Sequence, residues 1–225
     1  MKLEIADIQK AEVFKGVVDR NIFTWDDVTK LLNTKIFNWI QLIQNNDKIG
    51  IPQISTYWEG PHLDRKFINK KINEGAGIIL LRLSSYNESL AKISKSIEDS
   101  LSKSHTDAWS VDTHCYCGLE AGKESFKIHT DSTANFIMQL DGVSKWTVYK
   151  ERSNGNRLNG KVKTLTSDDK LTKDIQVDLH PGDVLYIPQN AFHYCLPQTK
   201  RLSLSFAAQP GIKNEPERRT YYKYG

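Results

Sequence analysis

Through much of the first hundred residues, apolar positions recur at helical spacing, and from about residue 109 the period changes to two. Thr24-Trp25-Asp26-Asp27 opens a helix running to Leu32, with Thr24 as N-cap and Asp27 three residues on. Ile36, Trp39, Ile40 and Ile43 continue at helical spacing and predict more helix. Residues 44–62 carry Asn, Gly and Pro signals and read as surface loop. A short helix over 64–73 stops near Gly75, Ala76 to Leu81 reads as a buried strand, and Leu90, Ile93, Ile97 and Leu101 form the stripe of an amphipathic helix. The period-two region predicts strands at 109–118, 134–140, 145–150, 175–179, 183–188 and 201–208. Turns fall at Gly122, at Asp141-Gly142, in the 153–160 Asn/Gly cluster and at Pro181-Gly182-Asp183. Helices gathered before a run of short strands predict an α+β fold, with helices packed on the outside of a β-sandwich or barrel. The expected organisation is one domain over residues 1–225. Residues 1–108 form a mainly helical part, 109–208 the β core and 209–225 a basic tail.

Composition narrows the class. The 225 residues are 39% hydrophobic and 26% charged, a balance that supports a buried core and excludes a disordered chain. Charges run through the first twenty residues, so no signal peptide is expected. The apolar run Ala76–Leu81 is far short of the ~20 residues that cross a bilayer. A cytoplasmic protein without membrane partners is expected. The net charge of +4 is too mild to argue nucleic-acid binding. Lys200, Arg201, Lys213, Arg218, Arg219 and Lys223 do gather toward the end, with Tyr221, Tyr222 and Tyr224 among them, but a solvated tail is the favoured reading over an RNA contact. Cys115, Cys117 and Cys195 are an odd number with no disulfide framework, which suits reduced thiols. Cys115 and Cys117 share one strand face, where small buried hydrophobes are favoured over a zinc cluster with a histidine.

The chemistry centres on His129-Thr130-Asp131. On an extended chain, residues two apart face the same way, so His129 and Asp131 can grip one ion. Alone, such a pair also describes a surface histidine beside a capping aspartate. His193, 62 positions after Asp131 and preceded by the turn and strand Pro181 to Pro188, completes a set of two imidazoles and one carboxylate. That facial triad leaves one side of Fe(II) open for co-substrate and molecular oxygen, whereas zinc in the same ligands has no redox chemistry.

Phe126 to Asp131, Asn135 to Gly142, Lys145-Trp146, His180 to Pro188, Leu202 to Phe206 and the lead-in Ile72 to Leu81 resemble the JmjC-type ribosomal oxygenases. These are cupin-like enzymes that use 2-oxoglutarate to hydroxylate ribosomal proteins, and the asparaginyl hydroxylases are their relatives. The resemblance covers roughly residues 20–208. It implies a double-stranded β-helix, Fe(II), 2-oxoglutarate as co-substrate, and His129, Asp131 and His193 as metal ligands. Two departures follow. Nineteen residues follow Phe206, so neither the family's helical dimerisation region nor its winged-helix domain is expected, and a monomer or an unrelated dimer is. The family also places a Lys or Arg two residues after the glycine matching Gly142, where this chain has Ser144, with Lys145 one position later. On a strand, that slip turns a side chain to the opposite face. Arg201-Leu202-Ser203 resembles the Arg-x-Ser anchor of another branch, so Arg201 with Ser203 is the expected anchor for 2-oxoglutarate and Lys145 the alternative. Arg201 also reads as an exposed strand-end base.

Asn135 matches an asparagine that helps hold the co-substrate in the asparaginyl hydroxylases, or it satisfies backbone groups. His114 and Tyr116 share a strand face, as pocket wall (Tyr116 toward 2-oxoglutarate, His114 toward the substrate) or as a buried hydrogen-bonded pair. Trp109 and Trp146 read as core, and His105 and His180 as loop residues. The expected activity is hydroxylation of a C–H bond in a peptide or protein side chain. The alternatives are a small-molecule substrate and a metal-binding cupin that performs no oxygenation.

Overall fold

A computed structural model of the chain describes residues 5, 7–45, 47–55, 60–104, 108–118, 121–122, 126–153, 168 and 170–211. The expected basic tail beyond residue 211, His105 and nearly all of the 153–160 turn lie outside the described residues.

Two antiparallel sheets face each other. The larger has eight strands, ordered β1 (Glu12–Phe14), β12 (Val184–Ile187), β9 (Ala134–Asp141), β14 (Arg201–Pro210), β7 (Trp109–Gly118), β6 (Gly77–Leu80), β2 (Ile40–Gln44) and β3 (Asp47–Ile49). The smaller has four, ordered β11 (Lys173–Leu179), β10 (Ser144–Arg152), β13 (Ala191–Pro197) and β8 (His129–Thr130). A ribbon of β4 (Gln53–Ile54) and β5 (His62–Leu63) stands apart. From β7 onward the chain passes back and forth between the two sheets, which is the double-stranded β-helix. No helix among the described residues is long and apolar enough to cross a membrane.

The alternation along the large sheet divides its two faces. On β14, Leu202, Leu204 and Phe206 pair across with Cys117, Cys115 and Thr113 of β7, and this face is sealed by helices α1 (Trp25–Asn33), α2 (Arg65–Asn73) and α3 (Glu88–Ser104). Val28, Ile68, Leu90, Ile97 and Leu101 supply the helical side of that core. Each such side chain stabilises the packing by roughly 1.5–3 kcal/mol. Thr24 and Asp27 form the expected capping box at the start of α1, with Thr24 N–H donating to Asp27 Oδ2 at 2.8 Å. Asp64 caps α2 by accepting from Phe67 N–H at 3.0 Å.

Three expectations need correction. Ile40 to Ile43 are not helical. They form β2, which pairs with β6, because Ile40 and Leu42 meet the buried Leu80 and Ile78 there while Ile36 stays exposed. A short, largely apolar run fits either period, and tertiary pairing decides it. The N-terminal part is accordingly mixed, with β1, β2, β3 and β6 extending the large sheet. Within 44–62, read as loop, lie β3, β4 and the start of β5.

Two turns fix the registers that matter. Gly142, at φ +70°, closes the hairpin between β9 and β10, and a Cβ there would fall 1.8 Å from the Lys200 carbonyl oxygen, so only glycine fits. At Pro181-Gly182-Asp183, the buried Asp183 carboxylate accepts from His180 N–H, Gly16 N–H and Lys15 Nζ, tying this turn to the N-terminal segment.

Candidate metal centre

Between the sheets, the inner faces carry polar groups where the outer face is apolar. The large sheet contributes His114 and Tyr116 from β7, Arg201, Ser203 and Ser205 from β14, and Asn135, Ile137 and Gln139 from β9. The registers set Ser203 opposite Tyr116 and Ser205 opposite His114. The small sheet contributes His129 from β8, Ser144 and Trp146 from β10, and His193 and Cys195 from β13. A cleft partly open to solvent is lined by Tyr116, Phe126, His129, Asp131, Asn135, Ile137, Trp146, His193, Arg201, Ser203 and Ser205.

His129, Asp131 and His193 meet in the wall of this cleft. β8 and β13 place His129 directly opposite His193, with ring centroids 4.3 Å apart. Asp131 sits just past β8, where its carbonyl accepts from Asn190 N–H at 2.8 Å. Its Oδ2 lies 3.5 Å from His193 Nε2 and its Oδ1 4.0 Å from His129 Nε2. One ligand atom from each residue falls within 4.8 Å of the others. His129 Nδ1 donates to the Lys127 carbonyl at 2.8 Å and His193 Nδ1 to the Ala191 carbonyl at 2.9 Å. A carbonyl only accepts, so the proton sits on Nδ1 and both Nε2 lone pairs point at the shared centre. Neither carbonyl was foreseeable from the sequence.

The electrostatics suit a divalent ion. Burial, reinforced by the neighbouring His193, lowers His129 to about 4 and keeps it neutral near pH 7. Burial pushes the Asp131 carboxyl up, but hydrogen bonds and charge from His193, His129 and Asn135 outweigh it and hold it well below the usual carboxylate range. Asn135 Nδ2 donates to Asp131 Oδ2 at 3.0 Å, while its Oδ1 accepts from Ser205 at 3.2 Å. Asn135 thus steadies the carboxylate as well as lining the cleft.

Arg201 is buried, 3% exposed, and lines the same cleft. Its guanidinium lies 5.8 Å over the Tyr116 ring, and Nη1 donates to Cys195 Sγ. The reading of Arg201 as an exposed strand-end base does not hold. Ser203 Oγ donates to Gln139 Oε1 at 2.8 Å. Lys145 is out of phase with the buried Ser144 and Trp146, pairs with Leu196 and Asp178, and is not in the cleft wall. Tyr116 lines the cleft, where burial holds its phenol well above the ordinary value. His114 stands on the same inner face but outside the cleft wall, with Nε2 3.9 Å from Asp112 Oδ2. Burial lowers His114 against the opposing pull of Asp112 and Asp131.

Cys115 and Cys117 face the helical core, away from the metal-ligand cluster, with their sulfurs 3.2 Å apart. Trp109 is buried in that core, whereas Trp146, read as core, also walls the cleft at 6.3 Å from the His193 ring. Phe126 and Cys195 were missed as site residues. Phe126 packs against His129 with centroids 5.2 Å apart. Cys195 was legible in principle, being two residues after His193 on one strand.

Comparison with known proteins places this site in context. Residues 90–215 match the family model described as the JmjC domain. The bifunctional lysine-specific demethylase and histidyl-hydroxylase NO66 of Dictyostelium discoideum is 23% identical over 203 residues, covering 87% of this chain and 37% of that protein. Ribosomal oxygenase 1 of Homo sapiens is 33% identical over 76 residues, covering 31% of this chain and 11% of its own length. Among solved structures, the Escherichia coli ribosomal oxygenase YcfD in complex with cobalt and 2-oxoglutarate superposes with a TM-score of 0.61 at 16% identity. That match covers 91% of this chain and 49% of YcfD, a likeness of fold. The chain spans about half the length of that structure and less of the curated relatives.

Proposed function

From the premise that the chain belongs to the JmjC-domain family, to which residues 90–215 assign it, we propose that it is an Fe(II)- and 2-oxoglutarate-dependent oxygenase hydroxylating a C–H bond of a peptide or protein side chain. The observation that carries this reading is the convergence of His129 Nε2, His193 Nε2 and the Asp131 carboxylate on one centre, in a cleft that also holds a buried arginine. Two imidazoles and one carboxylate fit Fe(II) and leave one side of it open. When bound, Fe(II) with 2-oxoglutarate supplies oxidative decarboxylation to succinate and carbon dioxide, coupled to insertion of one oxygen atom from molecular oxygen into a C–H bond.

The chain's own residues have distinct parts. His129, Asp131 and His193 hold the metal, and Asn135 fixes the orientation of Asp131. Arg201 takes the distal carboxylate of 2-oxoglutarate through its planar fork, with Tyr116 and Ser203 beside it in the wall. Phe126, Ile137 and Trp146 supply apolar wall that limits water. A non-oxygenase cupin has no need of a buried guanidinium in the metal cleft. A protein substrate is favoured over a small metabolite because the relative from Dictyostelium is named a histidyl-hydroxylase and lysine-specific demethylase.

Succinate formation from 2-oxoglutarate, in the presence of Fe(II) and oxygen, tests the activity directly. Histidine- and lysine-containing peptides, followed by mass spectrometry for gain of one oxygen atom, test the substrate class. Wild-type protein should release succinate and His129→Ala should not, while both keep the same far-ultraviolet circular dichroism. Full turnover by His129→Ala would show the metal site to be misassigned.

A further inference from the structure

We propose that Cys195 is a positioning residue that holds the Arg201 guanidinium ready for the distal carboxylate of 2-oxoglutarate; this rests on the reading of Arg201 as anchor. Cys195 and His193 are two apart on β13 and face the same way, so the strand that delivers a metal ligand also delivers a sulfur to the wall between the sheets. Arg201, at the start of β14 in the other sheet, reaches across and donates from Nη1 to that sulfur. The Tyr116 ring lies 5.8 Å from the guanidinium carbon. The fork is therefore held by an acceptor from the small sheet and an aromatic ring from the large one.

The choice of sulfur has a physical consequence. An arginine side chain has up to ~2 kcal/mol of rotamer entropy to lose when it is fixed, and fixing it before the ligand arrives moves that cost out of the binding step. A carboxylate at position 195 would hold the guanidinium more strongly, but it would also compete with the incoming carboxylate for the same donors. A neutral thiol is a weak acceptor. It orients the fork and leaves the positive charge for the ligand.

The test is calorimetric titration of Mn(II)-loaded protein with 2-oxoglutarate and, separately, with 2-oxobutyrate. The second ligand keeps the 2-oxo acid group and lacks the distal carboxylate. Cys195→Ala should weaken 2-oxoglutarate by about two- to tenfold, the range expected for one side chain losing its preorganisation. It should leave 2-oxobutyrate and Mn(II) affinity unchanged. Cys195→Ser, which keeps a small neutral acceptor, should recover most of the loss, and Cys195→Asp should weaken 2-oxoglutarate more than Cys195→Ala does. In turnover, Cys195→Ala should raise KM for 2-oxoglutarate with little change in kcat. Equal weakening of both ligands would mean a general structural role and overturn the proposal. So would unchanged 2-oxoglutarate affinity in Cys195→Ala when Arg201→Ala weakens it, and then the anchor reading stands. If Arg201→Ala itself leaves 2-oxoglutarate affinity unchanged, the anchor reading fails and the proposal with it.

Discussion

Replacing Asn135 by Ala should weaken metal binding without touching a ligand. The Asn135 amide donates to Asp131 Oδ2 at 3.0 Å and is itself held by Ser205 at 3.2 Å, so the chain Ser205–Asn135–Asp131 connects β14 through β9 to the carboxylate. A hydrogen bond to a charged group contributes about 1.5–3 kcal/mol. The Asp131 side chain is 35% exposed, and water can replace part of the lost bond, which discounts the figure to about 1–2 kcal/mol. Since 1.4 kcal/mol is tenfold in affinity, Mn(II) should bind about 5- to 30-fold more weakly, consistent with the usual effect of removing a group that orients a ligand. Asn135 is 4% exposed, so the truncation also strands the buried Ser205 hydroxyl and should cost about 1–3 kcal/mol of stability. The two effects separate if Mn(II) titrations are run well below the thermal midpoint of the variant. Asn135→Asp sharpens the test, because a second carboxylate beside Asp131 forces the pair to share a proton and should make metal uptake depend more steeply on pH. An unchanged Mn(II) affinity in Asn135→Ala would refute the claim that this amide orients the ligand.

Other outcomes are equally specific. Arg201→Ala should raise KM for 2-oxoglutarate by about ten- to a hundredfold, the worth of a charge-assisted bidentate contact, and Lys145→Ala should change it little; initial-rate kinetics decide between them. Gly142→Ala should lose at least about 1–2 kcal/mol in denaturant unfolding, from the left-handed backbone alone, and more from displacing the Lys200 carbonyl. Metal-free protein should lose stability as pH falls below about 6.5, because the unfolded His129 takes a proton there while the folded one resists until about 4. Thermal midpoints measured across that window in the presence of a chelator check the sign, and a midpoint that rises on acidification contradicts it.

Alternation made the fold legible in the sequence where one face is polar, while the all-apolar β6 and the buried β12 were legible as short runs bounded by turn signals. On β14 and β7 the alternation is plain, because Arg201, Ser203, Ser205, His114 and Tyr116 face the cleft side and their neighbours face the core. The same alternation put Ser144 and Trp146 in phase and turned Lys145 away. The failures have physical causes. β13 escaped because Ala191, Phe192 and His193 are buried in succession on both faces and show no polar alternation, so the element carrying His193 was not foreseen as a strand. β2 was misread because its short, largely apolar run owes its shape to β6, a partner about forty residues away in sequence. The metal ligands needed neither strand to be recognised, since residue identity and the two-residue spacing carry that signal. The carbonyls that set the histidine tautomers have no side-chain signature at all.

An anchor at Arg201, as proposed, has a consequence for how the site is held. β14 lies between β9 and β7 and pairs with both, so the backbone at Ser203 and Ser205 is fixed from two sides. β10, which carries Lys145, is flanked by β11 and β13 in the small sheet, the sheet that also bears both histidines. An anchor on β10 would therefore set the co-substrate's two ends within one sheet. With Arg201 as the proposed anchor, the metal end would belong to the small sheet and the carboxylate end to the large one, and the spacing between sheets would become part of the recognition. The contact of Lys200 with the Gly142 hairpin and that of Arg201 with Cys195 both connect segments of the two sheets. Changes at either should act on 2-oxoglutarate through geometry, even though neither Gly142 nor Lys200 lines the cleft.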